Sequence, residues 1–465
     1  MTESPLNRYI TLLAAHTELS RISVPVDPVL EIAAVTDRVC KQPEGGRALL
    51  FEQPAGSEYA VATNLFGSVK RVCLALGITN LTELTERLRA LLDRIHSFDL
   101  QNLDRQLASL PDFTRFSPRA TNEPDPDQIP MIPPDLERLP FLHSWPDDGS
   151  AEGHPRYITL PQVITADPDG GAPNCGVYRV QLHGGREAAI QWKAGSGAAK
   201  HAGQYRRAGK PMPVAIVLGG DPALLFSAMF PLPGELDELT FAGFLRKAPL
   251  TTVPCRTVPL QVPLGAEVVI EGFVTPEETV IEGPFGNHTG FYSPAAPAAL
   301  LRITAISCRH NAVIPATVVG TPPMEDCWMA LAWERLLLAF LQKELPAIAD
   351  IHFPAEWVFH QSAIISLENV QPGMIRNIAE TLWAGPWFAR ARILVFVTAG
   401  EPAGLSYAAW RFINVTNLDN DIYHDEATGR CAVDATGCHE QLQEVTSAPD
   451  SQNLVAQRWK EYGIE

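Results

Sequence analysis

Three short segments hold the side chains whose types and spacing could do chemistry. The first, Asn174-Cys175-Gly176-Val177-Tyr178-Arg179, follows the turn signal Asp167-Pro168-Asp169-Gly170-Gly171 and enters an apolar run. If 177–182 is one regular strand, Asn174 lies at its mouth and Arg179 points to the opposite face. A guanidinium in such a strand must be ion-paired or must bind an anion, because burying it alone is costly, and both readings stay open. The second segment, Glu282-Gly283-Pro284-Phe285-Gly286-Asn287-His288-Thr289-Gly290-Phe291-Tyr292, brings a carboxylate, an amide and an imidazole within seven residues. Its glycines and proline predict irregular backbone that lets a ligand approach, or a tight turn whose polar side chains satisfy the main chain. The third, Asp237-Glu238, follows Phe230-Pro231-Leu232-Pro233-Gly234 and reads by itself as a capped helix start.

The elements that must position these residues change in texture along the chain. Tyr9, Leu12, Leu13 and His16 recur at helical spacing, 48–51 and 59–62 read as short strands, and 81–92 reads as an amphipathic helix: an α/β segment. Residues 114–148 are proline-rich and acidic, which predicts an ordered connector containing a domain boundary. Strand-sized runs at 157–160, 177–182, 188–192, 213–218, 267–274 and 300–306, with helical stretches at 198–208 and 221–228, predict a barrel-like β domain with helical insertions. Beyond Pro323, a long amphipathic helix to about Lys343, strands at 363–367 and 393–397 and a helix at 372–382 predict a second α/β domain, and 453–462 a terminal helix. The reading is therefore an α/β (α+β) chain in three parts, 1–125, 126–310 and 311–465.

Composition narrows the function classes. The 465 residues are 46% hydrophobic, enough for more than one core, and 36 Lys+Arg against 53 Asp+Glu leave a net charge of −17. Such a polyanion repels nucleic-acid phosphates and anionic lipid, so neither is an expected partner. No apolar run reaches the length of about eighteen residues that a membrane span needs, and the expected compartment is the cytoplasm. The eight cysteines include no C-x-x-C pair and are expected to be reduced thiols; the spacing of Cys431, Cys438 and His439 matches no usual zinc pattern.

Read together, the three segments resemble the UbiD-type decarboxylases, the prenylated-flavin family. Leu30-Glu31-Ile32, Ala48-Leu49-Leu50-Phe51-Glu52 and Asn64-Leu65-Phe66-Gly67-Ser68 with Lys70-Arg71 look like that family's N-terminal domain. Leu139-Pro140-Phe141-Leu142, Trp145-Pro146-Asp147-Asp148-Gly149 and Thr159-Leu160-Pro161 are similar to the start of its flavin domain, and 282–292 resembles its most recognisable signature. Thr321-Pro322-Pro323-Met324-Glu325-Asp326 with Glu334-Arg335 looks closest to the branch associated with menaquinone biosynthesis.

The resemblance implies a central split β-barrel and a reversible decarboxylase of an aromatic or conjugated carboxylic acid. It implies prenylated FMN, or FMN, as the group that accepts the electrons left when CO2 departs, with a flavin prenyltransferase as its supplier. A divalent metal such as Mn²⁺, with K⁺, would be held on the cofactor phosphate by Asn174 and Glu238. Arg179 and Glu282 match two members of the family's catalytic network, with Asn287 and His288 beside them. Tyr178, Gln191, Trp192, Pro284 and Phe285 are the further cofactor contacts it implies, and a homo-oligomer, dimer or hexamer, is the expected assembly.

Three positions depart from the pattern. The metal-binding histidine falls at Gly195. The second acid falls at Asn287, whose amide donates no proton at useful pH. Where relatives carry an Asp-rich loop, this chain has Thr398-Ala399-Gly400-Glu401-Pro402-Ala403-Gly404. The departures raise an alternative, a catalytically impaired relative serving as structural or regulatory partner of an active enzyme. Lys193, two residues before Gly195, would lie on the same face if 188–194 is a strand and would reach toward the phosphate, unless it is a solvated surface lysine.

Overall fold

The computed structural model describes residues 3–171, 173–234, 236–400, 404–437, 445 and 447–463. Its N-terminal part is a four-stranded sheet in the order Leu19–Ile22, Ala48–Phe51, Ala60–Thr63 and Val313–Pro315, so the last strand returns from far along the chain. Helices Pro5–Ala15, Val69–Leu76 and Thr82–Leu92 bury Leu6, Leu13, Val72, Leu84 and Leu88 in the same core. The helix Pro5–Ala15 starts at Ser4, whose hydroxyl accepts from the Asn7 amide N–H, with Pro5 at its first position.

The centre is a sheet of nine strands among the described residues. Its spine is the antiparallel pair Val268–Glu282 and Ala296–Cys308, whose register slips between Glu271 and Gly272 and again between Val274 and Thr279. Such bulges bend a sheet and raise its twist, and this one curls into a half-barrel, in keeping with the barrel expected from the sequence.

The run 177–182 is not one strand. It splits into Asn174–Val177, which pairs with Gln162–Thr165, and Val180–Leu182, which pairs with Glu187–Ile190 and Tyr157–Ile158. Along the sheet, Asn174–Val177 lies at one end and Val180–Leu182 next to the other end. Two residues span under about 11 Å. Tyr178 and Arg179 therefore bridge the seam where the curled sheet nearly meets itself, and the parity argument that set Asn174 and Arg179 on opposite faces does not apply.

The C-terminal sheet runs Ile348–His352, Ser362–Leu367, Ile393–Thr398, Arg430–Asp434 and Ile422–Asp425, with its three middle strands parallel. The helix Glu325–Glu344 was expected to be amphipathic, but it buries most of its circumference, from Cys327 and Met329 to Leu341. One apolar core runs continuously from Leu13 and Leu88 through Phe340 to Ile365 and Phe396, so this helix is central and not a surface element. The terminal helix is Pro449–Arg458 with a single 3₁₀ turn after it, and it buries none of its residues. Seven described cysteines are free thiols, while Cys438 and His439 lie outside the described residues, as do 401–403. No helix is long and apolar enough to cross a membrane among the described residues.

Candidate active site

The seam places Arg179 against the end of the long strand Val268–Glu282. Its Nε and one Nη each donate to a Glu282 carboxylate oxygen at 2.7 Å, in the two-pronged geometry that a planar guanidinium favours. Glu282 is fully buried and Arg179 nearly so, with the guanidinium 4.7 Å from the centre of the Phe285 ring. Of the two readings left open for Arg179, the structure shows the ion pair. Two of three guanidinium nitrogens are used, and the other Nη has no partner among the described residues.

The backbone after Glu282 is held from three sides. The Gly283 N–H donates to Gln181 Oε1 at 3.2 Å, the Gly149 N–H donates to the Pro284 carbonyl at 2.8 Å, and the Gly286 N–H donates to Asp148 Oδ1 at 2.7 Å. Tyr157 donates to the Pro284 carbonyl, and its ring lies 4.7 Å from Phe285. Burial, and then the negative charge of Glu282, push the Tyr157 phenol upward. The glycines of this segment were open to two readings, the approach of a ligand or a tight turn. At Gly286 the structure fills the space with the protein itself, since a Cβ there would sit 2.2 Å from Trp145 Cδ1.

Asn287 is committed to the hairpin. Its amide nitrogen donates to Ser293 Oγ at 2.8 Å, and its Oδ1 accepts from the His288 N–H at 2.8 Å and faces His288 Nδ1 at 2.5 Å. That contact makes Nδ1 the protonated nitrogen of a neutral His288 and leaves Nε2 as a bare acceptor, which is buried without a partner. Desolvation, then the charges of Lys193 and Arg179, push its pKa down to about 4. An imidazole held so low is largely neutral at neutral pH.

The other end of the site is set by the helix Gly197–Ala208. Ser196 caps it by accepting from the Ala199 N–H, and a Cβ on Gly197 would lie 2.0 Å from Asn174 Oδ1, so only glycine lets Asn174 rest against the helix start. Glu238 opens a second helix, Glu238–Arg246, whose cap Asp237 accepts from the Leu239 and Thr240 N–H groups as expected. Glu238 accepts from the Cys175 N–H at 3.0 Å, and burial pushes its carboxyl up to about 8.

Two buried donors here have no hydrogen-bond partner among the described residues: Asn174 Nδ2 and the Trp192 indole N–H. Tyr178 packs edge-on to Trp192 at 5.5 Å. Orphaned donors, a helix N-terminus and a neutral carboxyl group suit a phosphate, so the residues fit the anionic end of a flavin. For a metal they offer Asn174 and Glu238 only. No cluster of three His, Cys, Asp or Glu ligands occurs among the described residues. Gly195 has φ +82°, which a histidine would adopt only under strain.

The strand Glu187–Ile190 ends before Gln191 and Lys193, so the alternation that would aim Lys193 at the phosphate end is absent. Its charge is felt instead at His288 and His360. Tyr157, Asp148, Gln181 and, from the C-terminal part, Phe359, His360 and Arg390 were not foreseen as site residues. Asp148 alone had a signal, in the Trp145–Gly149 motif.

Three profiles of one carboxy-lyase family match the chain in order. They are the N-terminal domain of 3-octaprenyl-4-hydroxybenzoate carboxy-lyase at residues 10–92, its Rift-related domain at 121–322 and its C-terminal domain at 327–443. The chain belongs to this family, UbiD. An uncharacterised protein of Aquifex aeolicus is 36% identical over 485 residues, covering 99% of each chain. Among solved structures, an evolved dimeric form of the UbiD-class enzyme HmfF from Pelotomaculum thermopropionicum, in complex with prenylated FMN, is 25% identical. It covers 97% of this chain and 98% of its own, with a TM-score of 0.81. Vanillic acid decarboxylase of Sedimentibacter hydroxybenzoicus in closed form shares the fold, at 24% identity and a TM-score of 0.83 over 100% of each chain.

Proposed function

We propose that the protein is a flavin-dependent decarboxylase of an aromatic or conjugated carboxylic acid, reversible in principle, with its reacting end at Arg179 and Glu282. The observation that carries this is the buried, doubly hydrogen-bonded Arg179–Glu282 pair with one guanidinium nitrogen left over beside Phe285. That nitrogen can orient a substrate carboxylate, while Phe285 and Tyr157 keep water from the bond that breaks. The proton that replaces CO2 on the product carbon comes from water and is relayed by way of Glu282, since the Asn287 amide has none to give. Asn174, Glu238, Trp192 and the start of Gly197–Ala208 hold the phosphate of prenylated FMN, or FMN, with Tyr178, Gln191, Pro284 and Phe285 along its length. The bound cofactor supplies the electron sink that no side chain provides.

Mn²⁺ with K⁺ on the phosphate, supply by a flavin prenyltransferase, a cytoplasmic location, a homo-oligomer and the division at 125 and 310 complete the reading. A second reading, an impaired relative that partners an active enzyme, is favoured by Asn287 being tied to Ser293 and by the left-handed backbone at Gly195, which disfavours a histidine there. The experiment that separates them is co-expression with a flavin prenyltransferase, mass and absorption spectra of the released ligand, and CO2 release from a panel of aromatic acids. Retained prenylated flavin with measurable CO2 release supports the enzyme. Retained flavin with no release from any acid favours the partner role, and loss of flavin altogether overturns both assignments of the phosphate end.

A further inference from the structure

Arg179 and Gln181 stand two residues apart, while Val180 and Leu182 go into the apolar core. The alternation sends both polar side chains to one side, where they meet consecutive residues of another segment. Arg179 holds the Glu282 carboxylate, and Gln181 Oε1 accepts from the Gly283 N–H at 3.2 Å. Gln181 is 1% exposed, and its amide is engaged at both ends. Oε1 also faces His183 Nε2 at 3.2 Å, and Nε2 of the amide donates to the His154 carbonyl at 2.7 Å. Ring nitrogen and backbone N–H at one end and a carbonyl at the other fix which way round the amide lies. It is walled in as well, since a Cβ on Gly149 would lie 2.7 Å from Gln181 Nε2.

The two-pronged ion pair fixes Arg179 and Glu282 to each other, but not to the rest of the site. Gly283 follows with φ +103° and no side chain to steer it, so bonds from outside set the direction in which the chain leaves Glu282. Gln181 supplies one of them from two residues beyond Arg179, and so ties both members of the pair to one stretch of backbone. We propose that Gln181 is a positioning residue for proton delivery: by holding the Gly283 N–H it keeps the Glu282 carboxyl in reach of the product carbon when a C–H bond replaces the bond to CO2. A displacement of about 1 Å at such a point costs about 10²-fold in rate. The proposal rests on the reading of Glu282 as the proton relay.

The test is steady-state CO2 release from an aromatic acid by flavin-loaded native protein and Gln181→Met, in H2O and in D2O. In the variant kcat should fall about tenfold to a hundredfold with KM within about twofold of native. The solvent deuterium isotope effect on kcat should be larger in the variant, because proton delivery is the step that has slowed. A native kcat in the variant, a rise in KM alone, or a lower kcat with an unchanged isotope effect overturns the role, the last because a packing defect slows every step alike. Should Gln181→Met fail to fold by circular dichroism, Gln181→Glu is read by the same outcomes: it keeps the length and the acceptor but sets a second oxygen against the His154 carbonyl. No release from any acid by the native protein overturns the reading of Glu282 and this role with it, whereas native release with an unaltered variant overturns the role of Gln181 alone.

Discussion

Asn287 and Glu238 carry the sharpest residue-level consequences. Asn287 occupies its amide within the hairpin and offers no proton, so Asn287→Asp in prenylated-flavin-loaded protein is expected to raise CO2 release from an aromatic acid by about tenfold or more. A rate unchanged between the two proteins would mean that another group already delivers the proton. Glu238 accepts from the Cys175 N–H, and desolvation pushes its carboxyl up to about 8. Glu238→Ala should therefore leave circular dichroism intact while flavin retention through gel filtration falls about tenfold or more, the scale of a lost hydrogen bond to a charged group. Equal flavin content in both proteins would remove Glu238 from the phosphate end.

At the level of elements, the hairpin that follows Glu282 depends on glycine where it meets Trp145. A methyl group at Gly286 would enter the indole, and Trp145 is itself anchored by its N–H donating to the Val319 carbonyl at 2.8 Å. Gly286→Ala should lower unfolding stability by about 1–3 kcal/mol in urea titration. An unchanged midpoint would show that Trp145 has room to move. The break at Tyr178–Arg179 acts in the same way on a larger scale, since two adjacent residues carry the chain from one end of the curled sheet to the other.

For the whole molecule, two consequences concern pH and association. His288 and His360 have folded pKa values pushed down to about 4 and about 3 from 6.5, so the folded protein binds fewer protons than the unfolded chain below the ordinary histidine range. Stability is then fully present above pH 6.5 and is lost as pH falls toward 4, with a slope of up to about 1.4 kcal/mol per pH unit for each imidazole. Denaturant titrations of native protein and His360→Phe between pH 7 and pH 4 check this, and the variant should show the shallower loss. The terminal helix buries nothing while exposing Leu454, Val455, Trp459 and Tyr462, and helix Leu405–Val415 exposes Trp410 and Ile413. Light scattering should therefore find a dimer or larger species for the full chain and a smaller one for a chain ending at residue 437. A full-chain monomer would count against these faces as contacts.

By itself the sequence determined many of the local elements and offered the candidate site residues. Periodicity placed the helices at 82–92 and 197–208 to within a residue or two, and a capping signal marked the start of 238–246, because those depend on neighbours a few positions apart. The resemblance brought Asn174, Arg179, Glu238 and Glu282 together, and the structure pairs Arg179 with Glu282 although 103 positions separate them. Tertiary structure alone decided what depends on closure of the sheet. It split 177–182 at the seam and set Trp145 against Gly286. It also set His360 of the C-terminal part 4.8 Å from His288, a neighbour that no local pattern marks, because it arises only from packing between distant parts of the chain.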